Sequence, residues 1–335
     1  MIPSQHFYSQ LFLRHPDSVY TTLPEFYNQK FPALEYPASV VAFDIANLTK
    51  TNQEKGFSVG DCIILSLIQS VELAIQKPIH VIQDLNARII VVCPHVELTE
   101  LEKIANEICS QLGNMVYGLS EASSNFSINI AIEDALEASR IQQLLNPKSK
   151  KHEPLFALMT IMRAVDKTLD QHVKRTQSLS KKMAKKMNMP FLETSQLQLV
   201  CMLHDIGKLF TPSEILQKPG ALTEQEMQIM KQHAQKGADF LANMPSFEDI
   251  ALYVKYHHER YDGKGYPEGL SGHSIPLLSR IVSLVDAYDA MSNDRVYRKA
   301  LSDREIVIEL CEGLGTQFDP TLTSILIEMI EKQEL

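Results

Sequence analysis

At Asn146-Pro147-Lys148-Ser149-Lys150-Lys151 the chain changes texture. Upstream, short apolar runs alternate with amphipathic helical spacing; downstream only helical spacing remains. Each pattern needs its own layered core, so this polar, proline-containing stretch reads as a joint between two domains. A chain of 335 residues is long enough to give each a core.

Upstream, Val40-Val41-Ala42-Phe43 ending at Asp44 suits a buried strand, 61–74 a helix, 88–93 a second strand and 97–112 a second helix. A further short strand is expected at 127–131, with a helix at 134–145. These elements make a small α/β domain over 39–147. Residues 1–38, rich in aromatics and Pro and without a sustained period, read as an adaptor segment. Downstream, over 154–335, helices are expected at 155–187, 193–209, 223–243, 247–257, 277–291 and 303–314. Thr223 with Glu226, and Ser302 with Glu305, have capping-box spacing. The fold class is therefore an α+β two-domain chain, a small α/β domain followed by an all-α one.

Composition narrows the function classes. A formal net charge of −9 argues against DNA binding, which needs a surplus of Lys and Arg. It leaves room for an anionic substrate held by local cations or a metal. The run Lys181-Lys182-Met183-Ala184-Lys185-Lys186 reads as a solvated helix face. No stretch approaches the ~20 uninterrupted apolar residues of a membrane span, and the start of the chain lacks a signal pattern. Cys62, Cys93, Cys109, Cys201 and Cys311 are odd in number and set among apolar neighbours, as reduced thiols of a cytoplasmic protein would be.

The second domain carries an unusual density of imidazoles and carboxylates. His204-Asp205 interrupts an apolar helix, His257-His258-Glu259 precedes a Gly-rich turn, Asp286 lies in an apolar helix, and His172 and His233 add two imidazoles. Singly, each is more often a hydrogen-bonded core residue than a ligand. Adjacent pairs shift that balance, because desolvating several such groups together is costly without a cation. An His–Asp pair offers one ligand to each of two metals about 3.5–4 Å apart, an arrangement suited to in-line attack on a phosphodiester. Lys208, one helical turn after His204, faces the same way and is placed to neutralise phosphoryl charge.

His204-Asp205-Ile206-Gly207-Lys208, followed by Ile215-Leu216-Gln217-Lys218-Pro219-Gly220, resembles the HD superfamily of metal-dependent phosphohydrolases. His257-His258-Glu259-Arg260-Tyr261-Asp262-Gly263-Lys264-Gly265-Tyr266-Pro267 narrows the resemblance to the HD-GYP branch. So do Asp286-Ala287-Tyr288-Asp289-Ala290-Met291 and Gly315-Thr316-Gln317-Phe318-Asp319-Pro320. A bare His–Asp dipeptide is a weak signal; this ordered series spans essentially the whole second domain. The resemblance implies a cyclic di-GMP phosphodiesterase that yields linear dinucleotide or GMP. It implies metal ligands at His172, His204, Asp205, His233, His257, His258 and Asp286, with Asp205 bridging. Lys208 would contact the scissile phosphate, and Tyr266, Arg295 and Arg298 the substrate. Thr168 stands where relatives with a third metal carry Glu, so two divalent ions, iron or manganese, are expected. Alternatives are hydrolysis of another cyclic dinucleotide such as cyclic GMP-AMP, or a non-catalytic receptor signalling through a protein partner at the loop bounded by Gly263 and Gly272.

The first domain resembles a degenerate GGDEF domain through Phe43-Asp44-Ile45, Leu48, Asn52, Gly56-Phe57 and Gly60-Asp61. The hairpin that carries the family signature reads Leu85-Asn86-Ala87-Arg88-Ile89, without its glycines or acidic pair, so cyclase activity is not expected. The resemblance leaves three roles: binding GTP or another purine nucleotide through Asn52 and Asp61, a platform for a homodimer or a protein partner, or a structural domain without a ligand.

Overall fold

The computed structural model describes residues 18–28, 34–84, 88–124, 127–166, 168–294 and 299–335. They fall into two compact units, Met1–Phe156 with Pro190–Ser195, and Ala157–Met189 with Gln196–Leu335.

The first unit is built on five strands, β1 (Val19–Thr22), β2 (Ala38–Ile45), β3 (His80–Gln83), β4 (Arg88–Pro94) and β5 (Met115–Ala122), in the order β1-β3-β4-β2-β5. The β1–β3 pair is parallel and the other pairs are antiparallel. Its helices are α1 (Leu23–Asn28), α2 (Leu48–Lys55), α3 (Phe57–Ile75), α4 (Leu98–Leu112) and α5 (Ile128–Leu145). Every residue of β2 is buried, which is why its hydrophobicity is continuous rather than alternating. Val41 and Phe43 pack with Leu67, Ile68 and Leu101 from α3 and α4, whereas Val40 and Ala42 pack with Ile128, Ala131 and Ile132 of α5.

Two expectations are corrected here. Within the described part of 1–38, residues 19–22 form an edge strand and Phe26 of α1 is buried in the core, so this stretch is part of the domain. Residues 127–131 open helix α5 instead of forming a strand. The Ser127 carbonyl accepts the Ala131 N–H, and Ile128, Ala131, Ile132 and Ala135 are buried at helical spacing. Contact with the sheet favours the helix over the β propensity of Ile128 and Ile130. The strand actually present, β5, carries Gly118 and a polar end that weaken its pattern. Among the described residues α3 is long and apolar enough to cross a membrane by length and composition, though Asp61 and Glu72 interrupt it; its Ile64, Leu67, Ile68, Val71 and Ile75 belong to the sheet's core.

In the second unit the described residues form no strand beyond two isolated bridges, Asp262 with Ser271 and Leu314 with Phe318. Its helices are α6 (Glu153–Val165) and α8 (Phe191–Leu203), whose first residues are counted in the first unit, with α7 (Leu169–Lys186), the short α9 (Ser213–Leu216), α10 (Glu224–Ala242), α11 (Glu248–Lys255), α12 (Leu277–Ser292), α13 (Asp303–Gly313) and α14 (Pro320–Glu331). Both capping boxes are present, at Thr223 and Ser302. The helix expected at 155–187 breaks where the Asp166 carboxylate accepts the Thr168 N–H and hydroxyl. That expected at 193–209 ends at Leu203 and gives way to a tight 3-10 turn over Ile206–Phe210. Helix α14, capped by Asp319, was not anticipated.

Candidate metal centre

The break after α8 shapes the centre. His204 and Asp205 sit on the corner between helix and 3-10 turn, which frees both side chains to face one way. The turn lies directly on α10: a Cβ on Gly207 would fall 1.8 Å from the His233 carbonyl oxygen and 2.7 Å from the Gly237 nitrogen. Only glycine permits that approach, which brings Asp205 beside His233. His172 comes from α7, Asp286 from α12, and His257 and His258 follow the end of α11.

All seven expected ligands converge. One Asp205 oxygen lies 3.5 Å from His204 Nε2 and the other 3.5 Å from His233 Nε2. On one side His172 Nε2 is 3.4 Å from His204 Nε2 and 3.7 Å from Asp286 Oδ1. On the other, His233 Nε2 is 3.3 Å from His257 Nε2, and the His258 ring packs 4.0 Å from that of His257. Two donor triads result, His172, His204 and Asp205, and His233, His257 and His258.

Hydrogen bonds outside the centre dictate what the inward nitrogens are. The Nδ1 atoms of His204, His233 and His257 meet the carbonyls of Cys201, Met230 and Val254 at 3.1, 2.8 and 2.6 Å. A carbonyl only accepts, so each Nδ1 carries the hydrogen and each neutral ring points its Nε2 lone pair inward. His172 is the exception: its Nδ1 donates to Asp289 at 2.8 Å, and that carboxylate is forked by Arg175 at 2.5 and 3.0 Å. Lone pairs facing one another at such distances repel unless a proton or cation lies between them, so this donor set fits divalent metal ions.

Burial pushes the pKa of His204 down to about 4 and that of His257 to about 3, and His233 and His258 shift the same way. Burial also disfavours the Asp205 carboxylate, but Lys208 and the surrounding imidazoles outweigh it and hold Asp205 well below the usual range. For Asp286, burial and the nearby Asp205 charge raise the pKa. His172 is raised: burial works against the charged form, but Asp289, Asp286 and Asp205 prevail.

Lys208 lies in the 3-10 turn, not on a continuing helix, and its Nζ pairs with Asp205 at 2.6 Å. Tyr266 stacks on His258 with ring centroids 4.8 Å apart, and Lys231 Nζ stands 5.3 Å over the tyrosine ring. Burial, then the charges of Asp205 and Asp286, raise the Tyr266 pKa, so its phenol keeps its proton. Arg295 and Arg298 lie outside the described residues. In the first unit, Asn52 on α2 turns its side-chain oxygen to Gly60, where a Cβ would fall 1.9 Å away. Asp61 stands one residue further along α3, its pKa raised by burial. The Asp44 carboxylate is engaged by Lys151 at 2.8 Å, which ties the expected joint back to this unit. Arg88 pairs with Asp84 across the hairpin, and residues 85–87 are outside the described set. Sequence reasoning passed over Asp289, Arg175, Glu259 and Gly207. Arg175 and Asp289 lie one helical turn after the expected ligands His172 and Asp286, a spacing that could have pointed to them; Glu259 adjoins His258 but carried no spacing signal.

Residues 157–322 match the family described as HD domain. The helical unit thus has the mostly helical fold of an HD domain, and the first unit a small mixed five-stranded sheet. Among curated relatives, a cyclic di-GMP phosphodiesterase of Vibrio cholerae is 32% identical over 232 residues, covering 65% of this chain and 46% of its own length. A cyclic di-GMP phosphodiesterase of Thermotoga maritima is 34% identical over 52% of this chain and 49% of its own. A 3'3'-cGAMP-specific phosphodiesterase 2 of Vibrio cholerae is 31% identical over 58% of this chain and 37% of its own. The chain therefore spans half or less of the length of these three relatives.

Proposed function

We propose that the helical unit is an HD-GYP phosphodiesterase that hydrolyses cyclic di-GMP to the linear dinucleotide or GMP. The observation that carries this reading is the convergence of seven nitrogen and oxygen donors, with the two oxygens of Asp205 facing two separate imidazole groups. His172, His204, Asp205 and Asp286 would hold one divalent ion, and Asp205, His233, His257 and His258 the other, iron or manganese by ligand type. Two ions are favoured over three because the Thr168 hydroxyl is bound to Asp166. Two such cations supply Lewis-acid stabilisation to a phosphodiester.

The chain's own groups complete the site. Asp289 and the three backbone carbonyls accept the Nδ1 hydrogens and so aim each Nε2 inward. Lys208 brings a positive charge to the edge of the centre, where it meets a phosphoryl group without titrating. Tyr266 offers a ring and a protonated hydroxyl to a base or sugar. The relatives named for cyclic di-GMP support the substrate; the 3'3'-cGAMP-specific relative supports a second reading, hydrolysis of that mixed cyclic dinucleotide. For the first unit we propose a degenerate GGDEF-like regulatory module. Its resemblance at Asn52 and Asp61 supports a purine nucleotide as ligand.

The test is incubation of iron- or manganese-reconstituted protein with cyclic di-GMP and, separately, 3'3'-cGAMP, with products separated by chromatography. Linear product from the native chain and none from Asp205→Ala is expected. Metal-replete native protein that cleaves neither compound refutes the reading.

A further inference from the structure

Glu259 follows the two histidines His257 and His258 and is 2% exposed. One of its carboxylate oxygens accepts two backbone N–H groups, from Glu268 at 2.7 Å and Gly269 at 3.0 Å. These residues close the loop that carries Tyr266. The other oxygen is buried without a hydrogen-bond partner among the described residues. A carboxylate taken this far out of water is costly; it is retained here at the one point from which both loop amides are reached.

The rest of the loop follows from that latch. The chain folds flat over 258–260, because a Cβ on Gly265 would fall 2.3 Å from the Arg260 nitrogen. The Tyr266 N–H donates to the His258 carbonyl at 3.3 Å, and the phenol ring then lies on the His258 imidazole. Outside the loop the Glu268 side chain is tied to Lys255 and accepts the Tyr256 hydroxyl at 3.0 Å, so residue 268 is fastened on both sides. We infer that Glu259 is a positioning residue: its carboxylate holds the 260–269 loop so that Tyr266 is presented to the substrate, and it acts on the reaction only through that tyrosine. This rests on the phosphodiesterase reading for its kinetic consequences and on the geometry alone for the latch itself.

The experiment is a double-mutant cycle on the full, metal-loaded chain, with amide exchange as a second readout. Glu259→Gln should raise KM for cyclic di-GMP about tenfold while kcat and metal content stay near native values, and it should speed exchange at the 268 and 269 amides. Glu259→Asp, which keeps the charge but not the reach, should behave alike. In a Tyr266→Ala background Glu259→Gln should cost nothing further. An equal cost in both backgrounds, loss of metal in Glu259→Gln, or full rescue by Glu259→Asp overturns the inference. Should the native chain hydrolyse no cyclic dinucleotide, the functional reading fails while the latch is still judged by exchange, and unchanged protection at 268 and 269 in Glu259→Gln overturns it.

Discussion

Without metal, the helical unit should lose stability as pH falls from about 6.5 towards 4, before its carboxylates titrate. His204 and His257 fall from an ordinary value of 6.5 to about 4 and about 3 because the folded protein buries them. For a histidine lowered in the folded state, the unfolded chain binds more protons between the two pKa values. Stability therefore rises with pH across that window and is lost on acidification. From about pH 6 to pH 5 each of these two histidines costs about 1 kcal/mol, or about 2 kcal/mol together, against a typical total of roughly 5–15 kcal/mol. His233 and His258 add in the same direction. His172, raised by its carboxylate neighbours, contributes in the opposite sense, its stability present at low pH and lost as pH rises. Asp205 and Asp289, both lowered, matter only nearer pH 4, where unfolded carboxylates begin to protonate. The assay is urea unfolding of chelator-treated protein, followed by far-UV circular dichroism at half-unit pH steps. His257→Gln should flatten the slope between pH 6 and pH 5 by about 1 kcal/mol, whatever it does to absolute stability. A native curve that is level from pH 7 to 5, or a His257→Gln slope equal to the native one, refutes the assignment of buried neutral imidazoles.

Gly207→Ala forces the 3-10 turn off α10 and should lower stability by about 1–3 kcal/mol or more while reducing metal content, read by thermal melting and elemental analysis. Asp289→Asn removes the carboxylate behind His172 and should weaken metal binding about 10–100-fold in a manganese titration, with the fold intact by circular dichroism. Lys208→Ala should retain metal yet slow turnover about 10²-fold, measured as kcat on cyclic di-GMP; an unchanged kcat would remove Lys208 from the mechanism.

Much of this protein is legible from local sequence because local physics decides it. Val40-Val41-Ala42-Phe43 demands a buried strand, and Thr223 with Glu226 and Ser302 with Glu305 cap helices through contacts three residues apart. The pairs His204-Asp205 and His257-His258 were visible because desolvated imidazoles and carboxylates side by side are rare without a purpose. Other features depended on tertiary contact. Packing on the sheet turned 127–131 into helix and drew residues 19–22 into an edge strand. The contact of Gly207 with α10 set Asp205 between two imidazole groups that lie 29 residues or more apart in sequence at His204 and His233. Asp289 finds His172 across 117 residues, and Glu259 finds two loop amides nine and ten residues on. Spacing encodes a neighbour only where one helix or strand fixes it; where two elements must first pack, residue type is chosen by the sequence and its partner by the fold.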